Sequence, residues 1–262
     1  MEFFGHLNSF DMTAIRSSDK ICLRLRYRTI SEKVHDHWEE ITNPTLFTAD
    51  KLAIILCDIW DDHWCKSAAD RVNSIAQKTN TVIYAARNKG IQIIHSPSDT
   101  MNFYRNYPQR LRIMDIQNQK VPEELQILNL PPLPIDDSDG GCDSGQTVAS
   151  KKWTRQHPDI EIADQDLISD EGKEIYSFIQ SAGISKLIFI GVHTNMCILN
   201  RSFAIKQMTK WGIECVLVRD LTDSMYHPQR YPYVSHQSGT KLVIEYIEKY
   251  WCSTITSQDI TN

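Results

Sequence analysis

The sequence predicts an α/β protein of three layers, in which helices cover both faces of a mostly parallel, Rossmann-like sheet. Two observations support this fold class. Short continuous apolar runs alternate with stretches of helical periodicity from about residue 51 to residue 250. Polar residues follow several of the apolar runs directly, as they do where parallel strands end at a ligand-binding rim. The 262 residues, of which 41% are hydrophobic, suffice for one large domain or two small ones.

Residues 1–50 are mixed and polar, and they are predicted to form an arm that packs on the main domain or on a partner subunit. Their one strand-like piece, residues 21–28, alternates apolar and charged side chains, which is typical of a half-buried edge strand. The main domain is predicted to span residues 51–262.

A β-α-β unit opens the main domain. Residues 52–57 form an unbroken apolar run, which indicates a strand buried on both faces. A helical pattern follows and ends at Gly90, and Ser67 with Asp70 resembles a capping box at its start. The next predicted strand, residues 91–94, implies a right-handed crossover.

The C-terminal half repeats this alternation of helices and strands. Its predicted elements are a helix ended by Gly183, a strand at 187–190, a helix at 197–210, a strand at 215–218 and a helix at 242–250. Between the two halves, residues 97–165 form a long irregular insertion. An insertion of this length usually serves as a lid, a binding loop or an interface.

Composition excludes several classes of protein. The formal charge of −5 argues against a nucleic-acid binder, and no apolar run approaches the roughly 20 residues that span a membrane. Residues 1–20 show no signal peptide. The seven cysteines are odd in number and scattered, which favours reduced thiols in a cytoplasmic protein. The expected partner is a small-molecule substrate.

Four features follow predicted strand ends and are therefore expected on one rim of the sheet: Asp58, His95, residues 193–197 and Asp220. Cys197 lies where a strand turns into a helix, and a helix start can stabilise a thiolate and an oxyanion. A buried structural cysteine is the alternative.

Asp58 can serve as a general base for the Cys197 thiol, although a loop aspartate that binds backbone N–H groups is the alternative. A catalytic pair of Cys197 with His193 is a less favoured alternative to the pair of Cys197 with Asp58. A cation would complete the set, and Lys152 and Arg155 are candidates, although exposed loop charge is their ordinary explanation.

The sequence resembles the isochorismatase-like cysteine hydrolases, which include nicotinamidases, isochorismatases and N-carbamoyl amidases. Residues 56–62, L-C-D-I-W-D-D, are similar to the family pattern apolar-x-D-x-Q-x-D, with Trp60 in place of Gln. Residues 191–197 meet the nucleophile motif G-V-x-T-x-x-C, and residues 218–224 resemble the D-A-x-x-S strand end.

The resemblance implies an Asp–Lys–Cys triad. Asp58 would deprotonate Cys197, which attacks an amide-like carbonyl and releases the amine before water hydrolyses the thioester. The resemblance also implies a cis peptide at Val192–His193, an oxyanion hole formed by the N–H groups of His193 and Cys197, no cofactor, and a homo-oligomer.

The family lysine normally lies roughly 33–40 residues before the cysteine, within the tolerance of loop lengths. No lysine lies there in this sequence. Lys152, 45 residues before Cys197, is the favoured substitute. Arg155 could replace it, since arginine keeps the positive charge but cannot exchange a proton.

No metal site is expected. The stretch 95–101 lacks the D-x-H motif of nicotinamidases, which disfavours that activity. His63, His95 and Asp99 could gather a metal, but satisfied or solvent-facing side chains are the favoured interpretation. The acidic loop 136–143 lacks the terminal Glu of an EF-hand and is interpreted as a solvated turn.

Aromatic side chains near the strand ends could line a substrate pocket. The predicted substrate-binding residues are Trp60, His95, Trp153 and Tyr226. Packing in the core or at an interface is the alternative for these aromatic rings.

The sequence therefore predicts a cysteine hydrolase that cleaves a C–N bond of a small amide or ureido substrate. A vinyl-ether hydrolase of the isochorismatase type is an alternative, and it would need the acid Asp58 but not the thiol. A catalytically silent binding or assembly protein is another, because the lysine is missing and Trp60 departs from the motif.

Overall fold

The computed structural model describes residues 20–32, 37–127 and 130–262. The described strands are β1 (Lys20–Ile30), β2 (Trp38–Thr48), β3 (Leu52–Cys57), β4 (Gln92–Ser96), β5 (Leu167–Ile168), β6 (Lys186–Val192), β7 (Glu214–Asp223) and β8 (Ser253–Ile255). The described helices are α1 (Lys66–Asn88), α2 (Met101–Tyr104), α3 (Pro108–Met114), α4 (Gly172–Ser181), α5 (Cys197–Asn200), α6 (Ile205–Lys210), α7 (His236–Tyr250) and α8 (Gln258–Thr261).

These strands form one eight-stranded sheet in the order β2-β1-β8-β7-β6-β3-β4-β5. The strands from β8 to β5 run parallel to their neighbours, whereas β1 pairs antiparallel with both β2 and β8. Every residue of β3 and β6 is buried, because apolar clusters cover both faces of the sheet. The predicted α/β fold with a mostly parallel sheet is confirmed.

The predicted strand at residues 21–28 exists as part of β1, but it is not the edge of the sheet. β2 occupies the edge, and β1 lies between β2 and β8. The alternation of apolar and charged side chains in β1 arises because α7 and α8 cover one face of this strand. It does not arise from an unpaired edge. Residues 1–19 of the predicted arm lie outside the described residues, and the division of the chain at residue 50 stays a prediction.

The single helix predicted for residues 197–210 is wrong. The chain forms α5 and α6 instead, and Arg201 between them adopts an extended backbone with φ −62° and ψ 157°. The start of α4 holds this break in place, because the Gly172 N–H donates a 3.0 Å hydrogen bond to the Ser202 hydroxyl. The apolar spacing continues across the break, so the pattern alone hides it.

A disulfide joins Cys65 to Cys142, which corrects the expectation that all seven cysteines are reduced. It connects the start of α1 to the acidic loop 136–143 across a sequence separation of 77 residues. The other five cysteines are free.

The start of α1 and the acidic loop are also joined by polar contacts that differ from the sequence prediction. Cys65 is the N-cap of α1, so Ser67 lies inside the helix and its hydroxyl binds Asp143 instead of capping. Asp143 also pairs with Arg71 at 3.0 Å. The acidic loop is therefore an anchored segment rather than a solvated turn.

Among the residues that the structure describes, no helix combines the length and the apolar character needed to cross a membrane.

Gly191 permits the close approach of β6 to β3 where both strands end. Its φ is +129°, and an added Cβ would overlap the Cys57 carbonyl.

We therefore expect Gly191→Ala to lower the free energy of unfolding by about 3 kcal/mol or more, measured by urea denaturation. Gly212→Ala is the matched control: its φ is +79° and open space surrounds it, so strain alone should cost about 1–2 kcal/mol. Equal losses in the two variants would contradict this account.

The disulfide should stabilise the fold by restricting the unfolded chain. We expect Cys142→Ser to cost about 2–4 kcal/mol of unfolding free energy, whereas Cys22→Ser, which removes an exposed free thiol, should change it by less than about 0.5 kcal/mol. Thiol titration of the unfolded protein without reductant should give five thiols. Seven titratable thiols would show that the bond does not form.

Candidate active site

Three side chains that can act together chemically meet where β3 and β6 end. Asp58 directly follows β3, has a φ of +52° and is fully buried. One carboxylate oxygen accepts a 2.7 Å hydrogen bond from the Ser98 N–H, and the other accepts a 2.9 Å hydrogen bond from Nε of Arg201. The Cys197 thiol lies close enough to hydrogen bond with the same carboxyl group.

Cys197 is placed by the loop that follows β6. The Val192–His193 peptide is cis, as the resemblance implies. The Thr194 N–H donates a 2.8 Å hydrogen bond to the Asp223 carbonyl at the end of β7. The Asn195 side chain accepts a 2.9 Å hydrogen bond from the Met225 N–H, two residues beyond β7. These contacts hold the loop of residues 193–197, called here the nucleophile loop after the predicted role of Cys197, on the end of β7 and the residues directly after it.

Burial dominates the electrostatics of the Asp58–Cys197 pair. It raises the pKa of Asp58, although Arg201 and the hydrogen bonds from Cys197 and Ser98 oppose the rise. It also raises the pKa of the Cys197 thiol, and the negative charge of Asp58 raises it further. Both effects favour the protonated thiol at neutral pH, so they do not support the thiolate that was expected at a helix start. Helix α5 has only four residues, so its dipole is small.

The cation beside Asp58 is Arg201, not Lys152 or Arg155. Its second contact is an ion pair of 3.3 Å from Nη2 to the Asp99 carboxylate. Lys152 is exposed and forms no ion pair with any described residue, and the Arg155 guanidinium lies 5.6 Å from the centre of the Phe103 ring. The sequence prediction placed the cation before Cys197, whereas Arg201 follows it by four residues. This is the spacing of neighbours on one helix face, and the Arg201 N–H donates a 3.2 Å hydrogen bond to the Cys197 carbonyl.

Trp60 and Trp153, two of the predicted substrate-binding residues, lie beside this cluster. Their rings stack with a centroid distance of 4.2 Å. The Arg201 guanidinium lies 5.9 Å from the centre of the Trp60 ring, and Nε1 of Trp60 donates a 3.1 Å hydrogen bond to the Ser98 carbonyl. The stacked pair therefore forms a flat wall next to Asp58 and Arg201.

His95 and Tyr226, the other two, do not lie in an open pocket. Both ring nitrogens of the buried His95 are occupied, by Asp166 at 2.9 Å and by Gln156 at 2.8 Å. Tyr226 is fully buried in the core, and its hydroxyl donates a 2.8 Å hydrogen bond to the Arg230 carbonyl. Core packing, the alternative interpretation, describes both residues.

Two further predicted rim residues are also placed differently. Asp220 lies within β7 and accepts a 2.8 Å hydrogen bond from the Ser257 N–H, so Asp223 is the residue at the strand end. The His193 ring packs against His63, with a centroid distance of 4.9 Å, and no contact joins it to the Cys197 thiol in the described part of the chain. Burial lowers the pKa of His193 to about 3, so this ring is neutral.

Within residues 20–32, 37–127 and 130–262, no three His, Cys, Asp or Glu side chains gather closely enough to hold a metal ion. Asp99 is engaged by Arg201, and the His63 ring stacks on Trp153 with a centroid distance of 5.8 Å.

Solved structures of several proteins are similar to this chain. A cysteine hydrolase from Pseudomonas syringae pv. phaseolicola 1448A superimposes with a TM-score of 0.51 and 13% identity, over 82% of this chain and 92% of that one. An isochorismatase from Pseudomonas putida KT2440 gives a TM-score of 0.47 and 12% identity, over 81% of this chain and 91% of the other. An isochorismatase-like hydrolase from Alkaliphilus metalliredigens gives a TM-score of 0.47 and 12% identity, over 80% of this chain and 94% of the other.

No protein-family model and no curated protein matches the chain. At 13% identity the likeness to the Pseudomonas syringae enzyme shows the fold alone. The chain therefore shares the fold of that cysteine hydrolase, in agreement with the fold class that the sequence predicts.

The charges around Cys197 predict opposite effects of two substitutions on its reactivity. Asp58→Asn removes the charge that raises the thiol pKa, so alkylation of Cys197 by iodoacetamide at about pH 8.5 should accelerate by about tenfold, the effect of one pKa unit. Arg201→Gln removes a charge that lowers the thiol pKa, so alkylation should slow. Mass spectrometry of the Cys197 peptide measures both rates.

Cys22 is the internal reference for this measurement, because it is an exposed free thiol in the same chain. Its alkylation rate should be the same in all three proteins. The reverse order of rates at Cys197 would refute the electrostatic account of the site.

Proposed function

We propose that this protein is a cysteine hydrolase that cleaves the C–N bond of a small amide or ureido substrate through a thioester. The observation that carries the proposal is the meeting of the Cys197 thiol, the Asp58 carboxyl group and the Arg201 guanidinium at one rim of the sheet. A nucleophile, a proton acceptor and a fixed positive charge are the groups that such a reaction needs.

Asp58 and Cys197 exchange the protons of the reaction. The thiol gives its proton to the carboxylate as sulfur attacks the carbonyl carbon, and the protonated Asp58 then gives this proton to the leaving nitrogen when the C–N bond breaks. Water next attacks the thioester carbon while Asp58 accepts a proton from it. The acid product leaves, and the proton returns to sulfur to restore the thiol.

The raised pKa of the thiol fits this sequence of steps. A thiol that is protonated at rest must lose its proton as it attacks, and the hydrogen-bonded Asp58 is placed to accept it. The raised pKa of Asp58 makes its carboxylate a stronger base than an exposed one.

Arg201 takes the place of the family lysine in this proposal. Its guanidinium holds Asp58 through Nε and remains charged throughout, so it orients the carboxylate and offsets its charge without exchanging a proton. The side chain is 30% exposed, so it also faces the solvent side of the cluster from which substrate would enter.

The backbone N–H groups of His193 and Cys197 are the proposed donors to the oxyanion. The His193 N–H faces the Cys197 sulfur and lowers the pKa of the thiol, so it already points at the reacting atom. In the described part of the chain, neither N–H donates to a backbone carbonyl. The stacked rings of Trp60 and Trp153 are the proposed flat wall of the substrate site.

One observation favours a second candidate, a vinyl-ether hydrolase. Burial raises the pKa of Asp58, which is the property required of a general acid that protonates an enol ether carbon. Such a reaction would not need the Cys197 sulfur.

The test measures the turnover of a panel of primary amides, N-carbamoyl amino acids and isochorismate. Release of ammonia and release of pyruvate are the two readouts. For an amide or ureido substrate, Cys197→Ala should lower the rate at least about a thousandfold, and Cys22→Ala should leave it unchanged. Arg201→Lys should retain more activity than Arg201→Gln, because lysine keeps the charge beside Asp58. Mass spectrometry should detect an acyl adduct on Cys197.

Pyruvate release from isochorismate that survives Cys197→Ala and is lost in Asp58→Asn would assign the vinyl-ether reaction instead. No turnover and no acyl adduct across the panel would refute the hydrolase proposal and favour a silent binding protein.

A further inference from the structure

A cavity of about 650 Å³ lies between β1, β7 and the first turn of α7, away from the catalytic cluster. Asp58, Cys197 and Arg201 are not among the residues that line it. Its volume is within the range of sites that bind small organic molecules, roughly 300–1,000 Å³.

The lining of this cavity, called here the β7 cavity, is richer in positive than in negative side chains. Its charged residues, histidine aside, are Arg26, Arg71, Arg219, Lys241, Asp220 and Asp223. Four cations thus face two carboxylates in a chain whose overall formal charge is −5. A local excess of the opposite sign concentrates anions at this surface.

Two of the four cations are already neutralised by carboxylates. Nε of Arg26 lies 2.8 Å from the Glu248 carboxylate, and Nε of Arg71 lies 2.7 Å from the Asp223 carboxylate. These two arginines form the fixed wall of the β7 cavity rather than its free binding groups.

The other two cations form no ion pair within the described chain. Arg219 is half-buried, and among the described residues its side chain donates one hydrogen bond, a 3.3 Å contact from Nη1 to the Thr254 hydroxyl. Lys241 is exposed at the same cavity and forms neither an ion pair nor a side-chain hydrogen bond within the described residues. Burial lowers the pKa of Arg219, and the charge of Arg26 lowers it further, whereas the charges of Glu248, Asp259 and Asp220 raise it. A bound anion would add to the charges that stabilise this guanidinium.

The first turn of α7 adds backbone donors to the same wall. α7 has 15 residues and is capped by Ser235, whose side chain accepts a hydrogen bond from the Ser238 N–H. The N–H groups of His236 and Gln237 bind no acceptor among the described residues, and both residues line the cavity. The positive end of a helix favours an anion at this position.

We propose that the β7 cavity is a second binding site, which takes a small organic oxyanion, a phosphate ester or a carboxylate, through Arg219 and Lys241. Free guanidinium and ammonium groups are the side chains that bind such oxygens most strongly. Thr222 lines the cavity, and its hydroxyl lies 2.7 Å from the Thr194 hydroxyl in the nucleophile loop. The site therefore adjoins this loop, while Asp58, Cys197 and Arg201 do not line it.

Isothermal titration calorimetry on the full chain tests the proposal, with inorganic phosphate and succinate as probes at constant ionic strength set by chloride. We expect saturable binding of at least one probe to a single site. Arg219→Gln and Lys241→Gln should each weaken this binding by about tenfold, since each removes a charged contact to the anion. Tighter binding of phosphate assigns a phosphate ester, and tighter binding of succinate assigns a carboxylate.

Matched controls separate site binding from a general loss of charge. Arg105→Gln and Lys78→Gln each remove one exposed positive charge that is not part of the cavity lining, and they should leave binding unchanged. Because Lys241 is exposed, its variant keeps the test valid even if Arg219→Gln impairs folding. Absence of saturable binding to either probe, or equal weakening in the control variants, would overturn the proposal.

Discussion

The buried carboxylate of Asp58 is the constraint on which the rest of the site depends. A carboxylate without solvent is costly unless charged and hydrogen-bonding partners surround it, and removal of one partner leaves the charge uncompensated. Arg201 and the Ser98 N–H supply these partners, one at each oxygen. Arg201 follows Cys197 by one helical turn, and its N–H donates a 3.2 Å hydrogen bond to the Cys197 carbonyl. The position of the cation is therefore coupled to the position of the thiol.

The same carboxylate decides how the sulfur can react. Burial and the negative charge of Asp58 raise the pKa of the Cys197 thiol and so favour its protonated form. In the proposed reaction, the thiol therefore loses its proton during the attack and not before it. An arginine suits this arrangement. A lysine beside Asp58 could share the proton, whereas the Arg201 guanidinium leaves it to move between carboxyl group and sulfur alone. In the proposed reaction, Arg201 would therefore supply the same positive charge as the lysine of an Asp–Lys–Cys site and would limit proton exchange to Asp58 and Cys197.

Local patterns determined how much was predictable from the sequence. The buried strands β3 and β6 are continuous apolar runs, the glycine-bounded helices have clear periodicity, and the cysteine motif places the nucleophile and the cis peptide after β6. These features depend on neighbours a few residues apart. Asp58 was predictable for the same reason, since it follows the apolar run of β3 directly. Trp60 was placed by the same motif, and its stacking with Trp153 then follows from the return of the insertion to this rim.

Features that depend on distant partners were not predictable, and the physical reason is the same in each case. Arg201 is 143 residues from Asp58, and the cysteines of the disulfide are 77 residues apart. Each of these side chains carries the same local pattern whether or not its partner is near. His95 shows the converse error: a polar residue at a strand end indicated a ligand-binding group, yet both of its ring nitrogens already bind protein side chains, Asp166 directly before β5 and Gln156. A polar side chain at the rim of the sheet is therefore available to bind a ligand only when no residue of the insertion already binds it. The sequence alone does not determine where the insertion, residues 97–165, packs against the rim.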